Sequence, residues 1–227
     1  MPQYTTLTEL EQTIIICRAC PRLVEWREKI GEVKRKAYRE ETYWARPVPG
    51  FGDINAKVLV VGLAPGAHGS NRTGRMFTGD DSGNFLYPAL FKAGFASQPT
   101  AVAVDDGLTL NELFITAVSR CVPPDNKPTN TEISACLPYL ESELNLLENL
   151  LGIVALGRIA YDVMVRLLYP PGYGLVAPRF AHGALMVKSR QKPWIIASYH
   201  PSRQNTQTGR LTAPMFDEIW DTVTRLL

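Results

Sequence analysis

The chain has 227 residues, of which 45% are hydrophobic and 20% are charged, and its formal net charge is +2 at pH 7. This length suits one well-buried domain, because domains usually contain about 100–200 residues. No apolar run approaches the roughly 18 residues of a membrane span. The opening stretch MPQYTTLTELEQ has neither the basic start nor the cleavage site of a secretion signal. We therefore expect a single soluble domain over residues 1–227, located in the cytoplasm.

The spacing of apolar residues predicts an alternation of helices and strands. Short runs rich in valine, leucine and isoleucine, typical of strands covered on both faces, occupy residues 57–62, 113–118, 152–157, 184–188 and 193–198. Helices are predicted at residues 8–17, 21–40, 84–92, 158–168 and 213–227, and another runs to residue 150 from a cap at Asn130 or Thr131. Residues 45–53 hold two prolines and two glycines, which predicts an extended loop.

This order of elements favours an α/β fold with a mainly parallel sheet and helices on both faces. Ligands of such sheets bind beyond the carboxyl ends of the strands. The loops after Gly62, Val118, Leu156 and Ser198 should therefore share one rim.

Charge is concentrated in one segment of an otherwise balanced chain. Nine basic and five acidic residues lie between Arg18 and Arg46. Such a segment fits a surface that faces a polyanion such as nucleic acid. It fits a solvated helix of mixed charge as well.

The stretch GLAPGAHGSNRTGRMFTGD, residues 62–80, opens at the end of the first predicted strand and contains five glycines. A phosphate-binding loop is one interpretation, but the stretch lacks the G-K-[ST] ending of a Walker loop. Gly62, Gly66 and Gly69 do not match G-x-G-x-x-G either. A loop with such small side chains lets the backbone approach a flat or bulky group and offers N–H groups to an anion or a carbonyl oxygen. It is a candidate ligand-binding segment.

The four cysteines form a C-x2-C pair, Cys17 and Cys20, and a C-x14-C pair, Cys121 and Cys136. Unpaired core cysteines are one alternative, and disulfides are disfavoured in a chain without a secretion signal. The spacing favours a structural centre of four thiolates. Zinc and an iron–sulfur cluster both suit it, and sequence alone does not choose between them.

His200 follows the last predicted strand, in the stretch SYHPSRQNTQTGRLT. A histidine at the carboxyl end of a strand lies where chemistry occurs in α/β folds, although a lone histidine is more often a packed or solvated residue. The polar tail after it contains Arg203 and Arg210 and suits contacts with a phosphate backbone.

Taken together, GLAPGAHGSNRTGRMFTGD, the two cysteine pairs and the HPS of residues 200–202 resemble the uracil-DNA glycosylase superfamily, specifically its family 5 (type b) of thermophilic prokaryotes. The resemblance runs in order from Cys17 to Thr212. It implies a three-layer α/β/α fold with a central four-stranded, mainly parallel sheet, and hydrolysis of the N-glycosidic bond of a deaminated base in DNA. It also implies a [4Fe–4S] cluster on the four cysteines and an association with the prokaryotic nucleoid.

The resemblance assigns roles to residues of this chain. His200 would donate a hydrogen bond to the departing base, and Asp80 would orient water or stabilise a positively charged sugar. The residues implied for base binding are Gly62, Leu63, Ala64, Pro65, Gly66, Phe77 and Thr116. Those implied for DNA contacts are His68, Ser70, Asn71, Arg72, Ser202, Arg203, Gln204 and Arg210.

Several of these residues also suit a purely structural role. Asp80, with Asp81 as the less favoured catalytic carboxylate, suits a helix cap. Phe77, expected to stack on the flipped base, also suits the core. Arg203 or Gln204, expected to fill the gap left by that base, also suits a solvated loop.

Two departures from the related families bear on chemistry. Leu63, Ala64 and Pro65 are apolar where other families carry an acid or an asparagine that positions water. Thr116 or Ala117 stands where they carry an asparagine that reads uracil. A site without that amide should discriminate less sharply, so we expect excision of uracil and also of hypoxanthine or xanthine.

A rival interpretation is a non-catalytic, metal-stabilised module that binds nucleic acid, and a third is hydrolysis of free nucleosides. The first explains the cysteines and the basic segment but not a glycine loop and a histidine at one rim. No sequence feature identifies a protein partner such as a sliding clamp. We expect a monomer that binds single- or double-stranded DNA.

Overall fold

The computed structural model describes residues 4–170, 178–187 and 193–227. Its strands are β1 (Phe51–Gly52), β2 (Val58–Gly62), β3 (Leu113–Ala117), β4 (Gly152–Leu156), β5 (Leu185–Met186) and β6 (Trp194–Ser198). Its α-helices are α1 (Leu7–Ile15), α2 (Pro21–Val33), α3 (Ser70–Thr73), α4 (Asp81–Lys92), α5 (Asn130–Leu146), α6 (Arg158–Leu168), α7 (Arg203–Gln207) and α8 (Ala213–Leu226). No helix in these ranges is both long and apolar enough to cross a membrane.

The strands form one sheet in the order β1-β3-β2-β4-β6-β5. The central four, β3, β2, β4 and β6, are parallel and fully buried, as predicted. The expectation of a four-stranded sheet is corrected to six strands, because the two-residue strands β1 and β5 add antiparallel edges. The edge β5 lies within the predicted strand at residues 184–188, whereas β1 lies within the predicted extended loop at residues 45–53 and is too short to produce a recognisable apolar alternation.

Apolar side chains cover both faces of the sheet. Val58 and Val60 of β2 pack with residues of α4 and α8, such as Leu86 and Trp220. The alternate residues of β2, Leu59 and Val61, pack on the other face with α5 and α6. The predicted arrangement of helices on both faces is confirmed. With both faces covered, a ligand can reach the described central strands only at their ends.

Several predicted boundaries were wrong. α2 ends at Val33 rather than near residue 40, because Lys34 takes a positive φ of 54° and a 3-10 turn, Lys36–Tyr38, follows. The cap of α5 is Thr129, whose side chain accepts from the backbone N–H of Glu132 in a capping box. Of the predicted strand at residues 184–188, only β5 forms within the described ranges. Residue 188, the last of that prediction, lies outside them. The tail after His200 contains the short helix α7.

Candidate active site

The glycine loop folds back on itself at the carboxyl end of β2. Gly62 ends that strand, and a Cβ added there would lie 2.9 Å from the Phe77 ring. No real Cβ makes so close a contact, so glycine allows the aromatic ring to lie directly against the strand end. The absence of a side chain at Gly62 therefore makes room for the Phe77 ring of the same loop.

Asp80 occupies the second space that the glycines leave. A Cβ on Gly69 would lie 2.0 Å from Asp80 Oδ2, and one on Gly66 would lie 2.8 Å from it. The other carboxylate oxygen, Oδ1, accepts a 3.0 Å hydrogen bond from the N–H of Gly83 and caps α4. Burial raises the pKa of Asp80, and hydrogen bonds from the N–H groups of Gly83 and Ser82 oppose that rise only in part. Asp80 is thus a helix cap whose second oxygen faces the glycine loop.

Phe77 has an uncommon backbone conformation, with a φ of 52°. Its N–H donates a 3.0 Å hydrogen bond to Ser70 Oγ, and a Cβ on Gly83 would lie 1.8 Å from its carbonyl oxygen. A non-glycine residue in this region costs about 1–3 kcal/mol and persists only where its surroundings hold it there. The first turns of α3 and α4 hold Phe77 on both sides.

His200 lies two residues beyond β6 and faces Phe77. The two rings are stacked, with centroids 5.9 Å apart and an interplanar angle of 28°. Asn205 Nδ2 donates a 2.8 Å hydrogen bond to the His200 carbonyl. Burial lowers the pKa of His200 to about 4, so the imidazole is neutral at physiological pH.

These side chains line one cavity of about 350 Å³ at the predicted rim. The glycine loop contributes Leu63, Ala64 and Gly66, and the segment after β6 contributes His200. Two stretches more than 120 residues apart in sequence therefore meet in one pocket. The other predicted residues that line it are Ser70, Phe77, Asp80, Ser202 and Gln204.

A wider groove of about 440 Å³ adjoins this cavity. Gly66, Asp80 and Asn126 border both spaces. The groove is also lined by Arg35 from the basic segment and by Arg203, whose exposed guanidinium lies 3.7 Å from Asp81. His68 lines it too, with Nδ1 3.0 Å from the Tyr43 hydroxyl. The arrangement is a small pocket that opens into a groove with basic side chains.

Three predicted contact residues are corrected, because they are buried away from the cavity. Thr116 donates a 2.7 Å hydrogen bond to Glu143 Oε2, and its neighbour Ala117 lines the cavity instead. Asn71 Nδ2 donates to the Arg27 carbonyl. Arg72 pairs with Glu41, donates to the carbonyls of His68 and Gly79, and packs on the Tyr38 ring. Asn71 and Arg72 therefore make contacts within the protein that support the loop, and neither lines the cavity or the groove.

The remaining predicted residues lie near the site without lining the cavity. Gly62 and Pro65 are buried behind it. Arg210 is exposed, and its guanidinium carbon lies 4.7 Å from the centroid of the Tyr199 ring.

Four residues that line the cavity were missed by sequence reasoning: Met76, Ser82, Asp125 and Asn126. Asp125 and Asn126 have φ values of 52° and 55° in a turn after β3. An Asp-Asn pair after two prolines is a signal for such a left-handed turn, and it could have brought this loop into the predicted site.

The four cysteines meet in a separate small cavity. Cys17 and Cys20 come from the junction of α1 and α2, Cys121 follows β3, and Cys136 lies on α5. Burial raises the pKa of the Cys121 thiol to about 12 and also raises the pKa of Cys20 and Cys136. Within the described ranges, no three His, Cys, Asp or Glu side chains are grouped closely enough to hold a single metal ion.

Two buried arginines border the cysteine cavity. Arg27 Nη1 lies 3.0 Å from Cys121 Sγ, and the backbone N–H of Arg120 donates to Cys136 Sγ at 3.4 Å. Arg27 Nε and Arg120 Nε and Nη1 are buried without a hydrogen-bond partner. Orphaned donors on charged groups are costly, so this cavity is suited to negative charge.

The family model described as "Uracil DNA glycosylase superfamily" matches residues 49–224. The chain belongs to the uracil DNA glycosylase superfamily. Among curated members, the chain is 55% identical over 208 residues to the type-5 uracil-DNA glycosylase of Thermus thermophilus, covering 92% of each chain. It is 48% identical over 217 residues to that of Mycobacterium leprae, covering 95% of this chain and 93% of the relative.

The chain also matches type-4 uracil-DNA glycosylases, at lower identity than the type-5 enzymes. The type-4 uracil-DNA glycosylase of Pyrobaculum aerophilum is 35% identical over 127 residues, covering 56% of this chain and 57% of the relative. The type-5 glycosylase of the same organism is 42% identical over 206 residues, covering 91% of this chain and 87% of the relative. The resemblance to family 5 glycosylases is confirmed.

We predict that the His200 imidazole of this glycosylase stays neutral from about pH 8 to about pH 5, because burial lowers its pKa to about 4. The unfolded chain would bind this proton at an ordinary pKa of about 6.5. The folded state would therefore lose stability as the pH falls from about 6.5 towards 4. NMR titration of the imidazole, assigned with His200→Asn, measures the pKa. A value of about 6 or higher would contradict the buried placement.

Proposed function

We propose that the chain hydrolyses the N-glycosidic bond of uracil in DNA and leaves an abasic site. The observation that carries the proposal is the single cavity lined by Phe77, Asp80 and His200. Its volume of about 350 Å³ lies within the range of small-molecule sites. The type-5 uracil-DNA glycosylases that align over more than 90% of the chain support the same activity.

Phe77 provides the surface on which an extruded base stacks. An enzyme that acts on a base must take it out of the duplex and hold it in a close pocket. The Phe77 ring is fixed by Gly62 behind it and by its hydrogen-bonded backbone, so it loses little freedom when a base binds. A base in this position also lies near the imidazole of His200, because the two rings are already stacked.

His200 stabilises the negative charge that develops on the departing base. A neutral imidazole carries one N–H donor, and a donor fixed in a buried site does not have to reorganise as the bond breaks. Such a donor is worth about 3–4 kcal/mol to the transition state. The low pKa keeps the donor uncharged over the working pH range.

Asp80 acts on the sugar side of the same bond. As the base departs, the sugar gains positive charge, which a carboxylate stabilises while it orients the attacking water. Oδ1 is held by the Gly83 N–H, which leaves Oδ2 beside the glycine loop for this work. Its raised pKa makes the carboxylate a stronger base than an exposed aspartate.

The adjoining groove gives the DNA strand a path to the cavity. Arg35 lines it, and so do Arg203 and Gln204 at the start of α7. Phosphate contacts position a protein on DNA, and arginines supply many of them. We propose that Arg203 or Gln204 fills the gap that an extruded base leaves.

Asp80→Asn tests the catalytic role separately from the helix cap, because asparagine caps a helix as well as aspartate does. We predict that it lowers the single-turnover rate of uracil excision by about 100-fold or more. His200→Ala should lower that rate by about 100- to 1,000-fold. Alkali-induced strand scission of uracil-containing DNA measures both, with Asp105→Asn, an exposed position that lines neither the cavity nor the groove, as the matched control.

Full activity of Asp80→Asn would mean that Asp80 serves only as the N-terminal cap of α4. Absence of scission by the wild type would favour the rival binding module. Release of uracil from free deoxyuridine at a comparable rate would favour a nucleoside hydrolase.

We also propose a broad range of excised bases. Thr116 is committed to Glu143, and the side chain that β3 presents to the cavity is the methyl group of Ala117. A pocket that reads a base through a buried amide rejects the wrong base by about 10⁴- to 10⁵-fold, since wrong bases leave the amide unpaired. We predict that uracil and hypoxanthine are excised at rates within about 100-fold of each other. Excision of uracil with none of hypoxanthine or xanthine would contradict this proposal.

Finally, we propose that Cys17, Cys20, Cys121 and Cys136 hold a [4Fe–4S] cluster. The donor set fits, because thiolates are the ligands of such clusters and each would bind a different iron. The unpartnered nitrogens of Arg27 and Arg120 would face the negative charge of the cluster. The cluster would serve as a structural link between α1, α2, α5 and the loop after β3, outside the reaction itself.

We predict that protein purified without oxygen contains about four irons and four sulfides per chain and absorbs visible light. Cys136→Ser should lose iron and lower the melting temperature. Colourless protein that contains one zinc per chain would overturn the cluster proposal in favour of zinc.

A further inference from the structure

His182 lies beside the end of β6, outside the cavity. The segment before β5 continues the pairing of that edge, since the Gly183 N–H donates to the Ala197 carbonyl at 2.8 Å. The Ala197 N–H in turn donates to the Ala184 carbonyl at 2.9 Å. Beyond this point the imidazole of His182 takes the position of a strand neighbour and faces the Ser198 hydroxyl and the backbone N–H of Tyr199.

The hydrogen bonds of His182 identify its tautomer. The backbone N–H of Tyr199 donates to His182 Nδ1 at 3.2 Å, so Nδ1 carries no proton. Nε2 lies 3.1 Å from the carbonyl oxygen of Met215, which only accepts, so Nε2 carries the proton and donates it. Ser198 Oγ, 3.3 Å from Nδ1, donates its own proton to the Tyr199 carbonyl at 2.9 Å. A neutral ring with one fixed orientation satisfies all of these contacts.

Ring contacts fix the Tyr199 side chain as well. The His182 and Tyr199 rings have centroids 5.2 Å apart at an interplanar angle of 31°. Arg210 packs on the Tyr199 ring, and Phe180 lies 6.1 Å from it. Both the backbone and the side chain of Tyr199 are therefore held, one residue before His200.

We propose that His182 is a positioning residue, a neutral imidazole that anchors the Tyr199 backbone so that the His200 ring faces Phe77 and the cavity. The inference rests on the proposed role of His200 in excision. On its other side the loop beyond β6 is held by the Asn205 contact to the His200 carbonyl and by hydrogen bonds between Ser202 and the first turn of α7. The direction of the imidazole therefore depends on the anchors at both ends. A misplacement of about 1 Å in a catalytic group can cost about 100-fold in rate.

Two amide substitutions separate the two ends of the His182 ring. The Oδ1 atom of His182→Asn falls near the position of Nδ1 and keeps an acceptor for the Tyr199 N–H. The longer side chain of His182→Gln keeps a donor for the Met215 carbonyl and removes the acceptor at Tyr199. We expect His182→Gln to lower the single-turnover rate of uracil excision by about 10- to 100-fold. His182→Asn should stay within about 3-fold of wild type, and DNA affinity should change little in either variant.

A double-mutant cycle distinguishes positioning from general damage. In the His200→Ala background there is no imidazole to orient, so adding His182→Gln should not reduce the residual rate further. Equal losses from His182→Gln with and without His200 would overturn the inference while leaving the role of His200 intact. Full activity of His200→Ala would instead overturn the role of His200, and this inference with it.

Amide hydrogen exchange at Tyr199 gives a readout independent of activity. Exchange should be slow in the wild type and in His182→Asn, and at least about 10-fold faster in His182→Gln, whose Tyr199 N–H has lost its acceptor. If His182→Gln is too unstable to assay, the comparison of His182→Asn with His182→Ala decides instead. Loss of excision and of Tyr199 protection in His182→Asn as severe as in His182→Ala would overturn the inference.

Discussion

The close approach of the glycine loop to Asp80 and Phe77 is the constraint on which the site depends. Gly69 and Gly66 leave the space that the Asp80 carboxylate occupies, and Gly62 leaves the space for the Phe77 ring. A packed interior does not absorb an extra methyl group without displacing a neighbour. The small side chains of this loop thus set where the proposed catalytic carboxylate and the proposed stacking ring lie.

Ion pairs of two buried arginines, Arg75 and Arg72, hold the loop in this folded form. Arg75 donates to Thr78 Oγ1 and to both carboxylate oxygens of Asp106, which ties the loop to the segment that follows α4. Burial of Asp106 opposes ionisation, but hydrogen bonds from Arg75 and backbone N–H groups outweigh it and lower the pKa to about 2. Arg72 makes the equivalent link to Glu41 on the other side. The polar residues of the loop are used for support, which explains why several of them do not face the groove.

The sequence predicts the parts of this fold that depend on local pattern. Each central strand is a continuous apolar run, so its burial on both faces was visible without coordinates. The end of α2 was not visible, because it depends on Lys34 adopting a positive φ. Glycine, asparagine and aspartate signal such a conformation, whereas lysine does not. Asn71 and Arg72 were misassigned for a similar reason. Their burial follows from contacts with Arg27, Glu41 and Tyr38, which only the tertiary fold brings near.

The loop after β3 connects the cysteine cavity with the candidate active site. Cys121 borders the cysteine cavity, and Asp125 and Asn126, only a few residues later, line the candidate active site. A buried ion pair links this loop to Glu143 on α5. The loop contributes Arg120, whose Nη2 lies 2.5 Å from Glu143 Oε2. Removing one partner of a buried pair is strongly destabilising, because the other charge is left without compensation. The proposed cluster would therefore act on the same short loop as this ion pair, and the shape of the cavity rim would depend on both.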